Sequence, residues 1–88
     1  MKIKENLKLR QVGSSFFIVD TNKEMVDFTD IFVLNKEAAF LWQEFQGKDF
    51  TVEAMVERLC SRYDVNHDTA QQDVEEMLNT WQVFGLLQ

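Results

Sequence analysis

The sequence predicts a small α+β domain in which a three-stranded antiparallel sheet is followed by three helices. Three observations predict it. The apolar residues recur at strand spacing from Leu7 to Leu34 and at helical spacing from Asn35 onward. Turn and capping residues fall between those runs, in a chain without a single Pro. With 88 residues, 45% of them hydrophobic and 12% aromatic, there is material for one compact core and too much for a disordered chain.

The strands come first. Leu7-Lys8-Leu9-Arg10 alternates apolar and basic, as a half-buried strand does. Val12-Gly13-Ser14-Ser15-Phe16 supplies a turn, because Gly13 can take the positive φ of a tight hairpin. Phe16-Phe17-Ile18-Val19 is a β-branched and aromatic run long enough for a second strand. Thr21-Asn22-Lys23-Glu24 reads as the next turn. A third strand falls within Met25 to Leu34, most clearly over Ile31-Phe32-Val33-Leu34, with Thr29-Asp30 marking a bulge or break.

The helices follow. Asn35 caps the first, and Ala38, Leu41, Trp42 and Phe45 recur at i, i+3, i+4 and i+7. Phe40 lies off that stripe and is expected to face the sheet. Gly47 ends this helix. Thr51 caps the second, whose stripe is Val52, Met55, Val56, Leu59, Cys60 and Tyr63. Asn66 or Asp68 caps the third, with Ala70, Val74, Met77, Leu78 and Trp81 inward. Gly85 ends it, and Leu86-Leu87 are expected to tuck back against the sheet or the first helix. Two adjacent helices and a small sheet are also the inventory of a winged helix-turn-helix. All 88 residues are read as one domain.

Nine Lys and Arg against fifteen Asp and Glu leave a formal charge of −6. The charge is unevenly placed. Lys2, Lys4, Lys8 and Arg10 crowd the first ten residues, whereas no Lys or Arg follows Arg62 and Asp64, Asp68, Asp73, Glu75 and Glu76 are all acidic. A phosphate backbone is a poor ligand for that end. One Cys forms no internal disulfide and fits a reducing compartment. Without a long apolar run or a cleavable leader, the expectation is a cytoplasmic protein that engages no membrane.

Catalytic equipment is missing from the sequence. His67, the only histidine, sits at a helix start among acidic neighbours and reads as a capping or solvated residue. Cys60 lies on an apolar stripe as an inert thiol. One Cys and one His make no tetrahedral zinc site, and no Gly-rich phosphate loop occurs. Glu75 and Glu76 are adjacent on a helix, point apart and read as a solvated face. No enzyme activity, cofactor or metal is expected.

Several short motifs add to this. Leu34-Asn35-Lys36-Glu37-Ala38-Ala39-Phe40-Leu41-Trp42 resembles the "LN…A…W" segment of PqqD-like proteins. Gly47, Thr51 and Val52 match that family's entry to its second helix, and Arg62-Tyr63-Asp64-Val65 its "YDV" corner. Asp73-Val74 with Leu78, then Gly85-Leu86-Leu87, resemble its third helix and its closing "GLL". Five pieces in order, from about Leu9 to Leu87, make the chain similar to the PqqD family. Two departures stand out: the loop from Gly47 to Thr51 is a residue longer than usual, and Met25 to Asp30 is more polar.

That resemblance implies a non-catalytic peptide-recognition domain of ribosomal peptide modification. Such domains bind the leader of a precursor peptide and present it to a modifying enzyme. In the namesake pathway this is a radical S-adenosylmethionine enzyme on the route to pyrroloquinoline quinone. The family's groove lies between the third strand and the third helix, so Thr29, Asp30, Ile31, Phe32, Val33 and Leu34 are expected on one wall. Read at about 100° per residue, Met77 and Phe84 lie on one flank of the third helix, with Asp73 and Thr80 just beyond. Gln71, Glu75 and Gln82 lie on the other. Phe84 either lines the groove or closes the core near the chain end. The competing readings are a DNA-binding winged helix and a general protein-interaction domain. Monomer and strand-swapped dimer both stay open.

Overall fold

A computed structural model describes residues 1–21 and 32–88 of the chain. Three strands, β1 (Leu7–Val12), β2 (Ser15–Asp20) and β3 (Phe32–Leu34), precede three helices, α1 (Lys36–Phe45), α2 (Val52–Arg62) and α3 (His67–Val83). The strands form one antiparallel sheet with β2 in the middle. The turn, break and strand start expected between Asn22 and Ile31 lie outside the described residues.

Gly13-Ser14 is the two-residue loop between β1 and β2, with Val12 opposite Ser15. Gly13 alone of the two has positive φ, +60°, the backbone of a II′ hairpin turn that suits the twist of the strands it joins. The pleat then sorts the side chains. Leu9, Ile18 and Phe32 form one row across the inner face of the sheet, and Gln11, Phe16 and Leu34 the next. Arg10, Phe17 and Val33 form a row on the outer face. Beyond β3 no further strand pairs among the described residues, which leaves the edge of β3 away from β2 without a partner strand among them.

Each helix begins at a capped position. The side-chain oxygens of Asn35, Thr51 and Asn66 accept from the N–H groups of Ala38, Ala54 and Thr69 at 2.8, 3.1 and 2.8 Å. His67 is therefore the first helical residue of α3, exposed, and not its cap. The far end of α3 closes as a Schellman turn: Gly85 N–H donates to Gln82 C=O and Leu86 N–H to Trp81 C=O, with Gly85 at φ +75°. That reversal buries Leu86 and leaves Phe84 outside.

The chain end goes somewhere unexpected. Leu87 packs partly buried against the core and also pairs with Ile3 in an isolated antiparallel bridge. Lys4 N–H donates to Leu86 C=O at 3.0 Å, and Gln88 N–H to Lys2 C=O at 2.8 Å. Ile3 is fully buried as a result. The backbone of Lys2 to Lys4 is free to pair there because it precedes β1 and belongs to no other ladder. Met1 C=O in turn accepts from Phe50 N–H at 2.8 Å, fastening the α1–α2 loop. Beside it, the Met1 amino group holds the Asp49 carboxyl below the usual carboxylate range.

At the centre, Trp42 of α1 and Trp81 of α3 meet edge to face, with ring centroids 5.2 Å apart and an interplanar angle of 72°. Both are at most 1% exposed. Trp42 Nε1 donates to Gln46 Oε1 at 3.1 Å, and Gln46 Nε2 donates to Leu7 C=O on β1. One buried chain of contacts thus runs from α3 through α1 to the sheet. Cys60 is half-buried on α2 against the same core. Trp42→Ala is expected to lower unfolding free energy by about 3–5 kcal/mol, and Gln46→Leu by about 1–3 kcal/mol. Urea denaturation of the two variants measures both.

Candidate functional site

A groove of about 710 Å³ runs between β3 and α3, closed at one end by the start of α1 and the corner after α2. Its floor is buried and apolar: Leu34, Ala38, Leu41, Leu59, Val74 and Trp81. The β3 wall adds Phe32 and Val33, the latter 68% exposed despite being aliphatic. The α3 wall presents Asp73, Met77 and Thr80.

These positions follow from local sequence. Asp73, Met77 and Thr80 are spaced i, i+4, i+7 on α3, so they share one face, and Phe84 continues it one turn later. Asn35 both caps α1 and lines the groove, which spends its side-chain oxygen on the Ala38 N–H. Thr80 Oγ1 donates to Glu76 C=O at 3.0 Å, turning its hydroxyl back to its own helix. Gln71, Glu75 and Gln82, on the other flank, are exposed.

Six of the ten residues expected at a peptide site line this groove: Phe32, Val33, Leu34, Asp73, Met77 and Thr80. Thr29, Asp30 and Ile31 lie outside the described residues. Phe84 stands just beyond, at the C-cap of α3, 65% exposed with its ring 5.2 Å from that of Phe32. It does not close the core; Leu86 does, one Schellman turn later. Phe32 and Phe84 together extend the apolar wall past the end of α3.

Other contributors were not expected. Glu37 of α1, Tyr63, Asp64 and Val65 at the α2–α3 corner, and Glu76 of α3 also face the groove. Glu76 is thus not part of a purely solvated pair with Glu75. The corner had a signal, the Tyr-Asp-Val motif itself, but its position over the groove depends on how α2 crosses α3. Phe40 is the other difference. It faces α2 rather than the sheet, edge-on to Tyr63 at 5.7 Å, with the Arg58 and Arg62 guanidiniums 5.3 and 5.9 Å from its ring. Those cations cover a ring that a single-stripe reading of α1 leaves over.

Among the described residues the charged side chains lining the groove are Glu37, Asp64, Asp73 and Glu76, all acidic. Among the described residues no three potential metal ligands gather into a site. No helix of the described residues is long and apolar enough to cross a membrane.

The family model for coenzyme PQQ synthesis protein D (PqqD) matches residues 17–87. The chain belongs to the PqqD family. No curated protein sequence matches it significantly. Among solved structures it is similar to TbiB1 in complex with the TbiA(beta) leader peptide, with a TM-score of 0.75 and 18% identity. That superposition covers 100% of this chain and 95% of the other, so the two share the whole fold. The PqqD family segment, from Phe17 onward, contains β3 and every groove residue named above.

Floor and wall should separate by stability. Val74→Ala, at the buried floor, is expected to cost about 1–3 kcal/mol, and Phe84→Ala, on the exposed wall, under about 1 kcal/mol. Chemical denaturation of both variants checks this.

Proposed function

We propose that this PqqD family chain is a non-catalytic adaptor. It binds the leader of a ribosomally made precursor peptide and presents it to a peptide-modifying enzyme, of the radical S-adenosylmethionine class or another. The observation that carries this is the edge of β3, without a partner strand among the described residues, standing beside an apolar groove. An extended peptide laid along that edge pairs its backbone with β3 and drops alternate side chains into the groove. Family membership supports this reading, as does the shared fold of TbiB1, which is known with a leader peptide bound.

Magnitudes favour the groove as the source of selectivity. Each backbone hydrogen bond contributes about 0.5–1.5 kcal/mol net, and each fully buried Leu, Ile or Phe side chain about 1.5–3 kcal/mol. A β3 of three residues pairs with only a few peptide groups. Two seated side chains therefore contribute at least as much as the ladder, and they alone depend on peptide sequence.

The DNA-binding alternative places α3 against phosphate. The exposed face of α3 carries Asp68, Asp73, Glu75 and Glu76, and the helix has no Lys or Arg. Phosphate repels such a helix. The adaptor is taken to work in the cytoplasm, as a monomer or a strand-swapped dimer.

Titration of labelled protein with the short peptides encoded beside its gene tests this. Binding at nanomolar to low-micromolar Kd, with amide shifts at Phe32 to Leu34, is the expected result. Salt-sensitive binding of duplex DNA with no response to any such peptide overturns it. Met77→Glu is expected to weaken peptide binding at least tenfold while costing under about 2 kcal/mol of stability. Equal loss of both would instead make Met77 a core residue.

A further inference from the structure

The four carboxylates at the groove, from Glu37, Asp64, Asp73 and Glu76, come from three separate parts of the chain: α1, the α2–α3 corner and α3. None of them makes an ion pair or a side-chain hydrogen bond with a described residue. Cations nearby are engaged elsewhere. Arg58 is paired with Glu44 at 2.8 Å, and Arg62 lies over the Phe40 and Tyr63 rings at 5.9 and 5.4 Å. The remaining basic side chains of the described residues include Lys8 and Arg10, on β1 at the opposite edge of the sheet. Among the described residues no Lys or Arg lines the groove, Lys36 beside Glu37 included, so the apolar floor is rimmed there by like charge, which costs the empty domain mutual repulsion and is relieved by a cationic occupant.

The sheet register says where on such an occupant the charges fall. A strand added to β3 continues the existing rows. Two of its residues, two apart, join the inner rows ending at Phe32 and Leu34 and sit over the floor; the residue between them joins the outer row of Arg10, Phe17 and Val33. That intervening position neighbours the exposed Val33 on the outer face, away from the groove and its carboxylates, so nothing there favours Lys or Arg. The carboxylates instead flank the two inner positions, Glu37 and Asp64 at the closed end and Asp73 and Glu76 along α3.

Resting on the reading of this site as a peptide groove, we infer that the segment it selects is a cationic amphipathic strand. Two apolar residues at i and i+2 enter the groove, the residue between them faces the outer sheet surface, and Lys or Arg lies immediately outside the pair. Acidic leaders are rejected by repulsion at the same rim. Individually such exposed pairs contribute little; several together discriminate a basic from an acidic version of one peptide by roughly tenfold or more, and salt weakens the preference.

A phage-displayed library of random short peptides, panned on the full chain and on the E37Q/D73N/E76Q variant, tests this. Expected from the unmodified chain is a pool with Leu, Ile or Phe at i and i+2 and Lys or Arg on either side. A synthetic peptide from that pool should lose at least tenfold in affinity when its basic residues become Glu. The variant is expected to keep the apolar pair and lose the basic enrichment. A pool with the apolar pair but no basic enrichment, or enrichment unchanged by the variant, overturns the charge selection and leaves strand addition standing. No pool from either protein overturns both.

Discussion

The edge-to-face contact between Trp42 and Trp81 is the constraint on which the rest of this small protein depends. It is the point where α1 and α3 meet, and Trp81 is at once the buried half of that pair and part of the groove floor. Through Gln46 the same contact reaches the backbone of β1. The separation of β3 from α3 is therefore set from beneath the groove, by packing of which only Trp81 reaches the floor. A rigid floor lets wall residues stay exposed, since Val33 and Phe84 need not contribute to the core to be held in place.

The ends of the chain secure this arrangement. Burial of Ile3 and Leu86 beside the Ile3–Leu87 bridge closes the core where β1 and α3 would otherwise leave a gap. The Schellman turn that delivers Leu86 inward turns Phe84 outward against Phe32. A single backbone reversal thus finishes the hydrophobic core and lengthens the apolar wall. The same economy applies to Asn35, which starts α1 and stands at the groove. With 88 residues, the core and the groove share side chains.

Much of this was legible in the sequence because it is local. Asn35, Thr51 and Asn66 cap as their residue types require, Gly13 and Gly85 take the positive φ their turns need, and the 73, 77, 80 face of α3 follows from helical spacing. What was hidden depends on long-range packing. Nothing near Lys2 to Lys4 announces a bridge to a segment more than eighty residues away. The placement of Glu37, Asp64 and Glu76 around one groove depends on the angles at which three helices meet, which no single helix records. Phe40 was misplaced for the same reason: its partners are Arg58 and Arg62 of another helix and Tyr63 at that helix's end.

The central claim is that an extended peptide becomes the strand next to β3. Isotope-filtered NOE spectroscopy on labelled protein with an unlabelled bound leader tests it most directly. Strand addition gives backbone-to-backbone contacts between the peptide and Phe32 to Leu34, at strand spacing of about 4.8 Å, with alternate peptide side chains touching Met77 and Trp81. A peptide that binds as a helix, or that contacts only the outer sheet face around Phe17 and Val12, would contradict it.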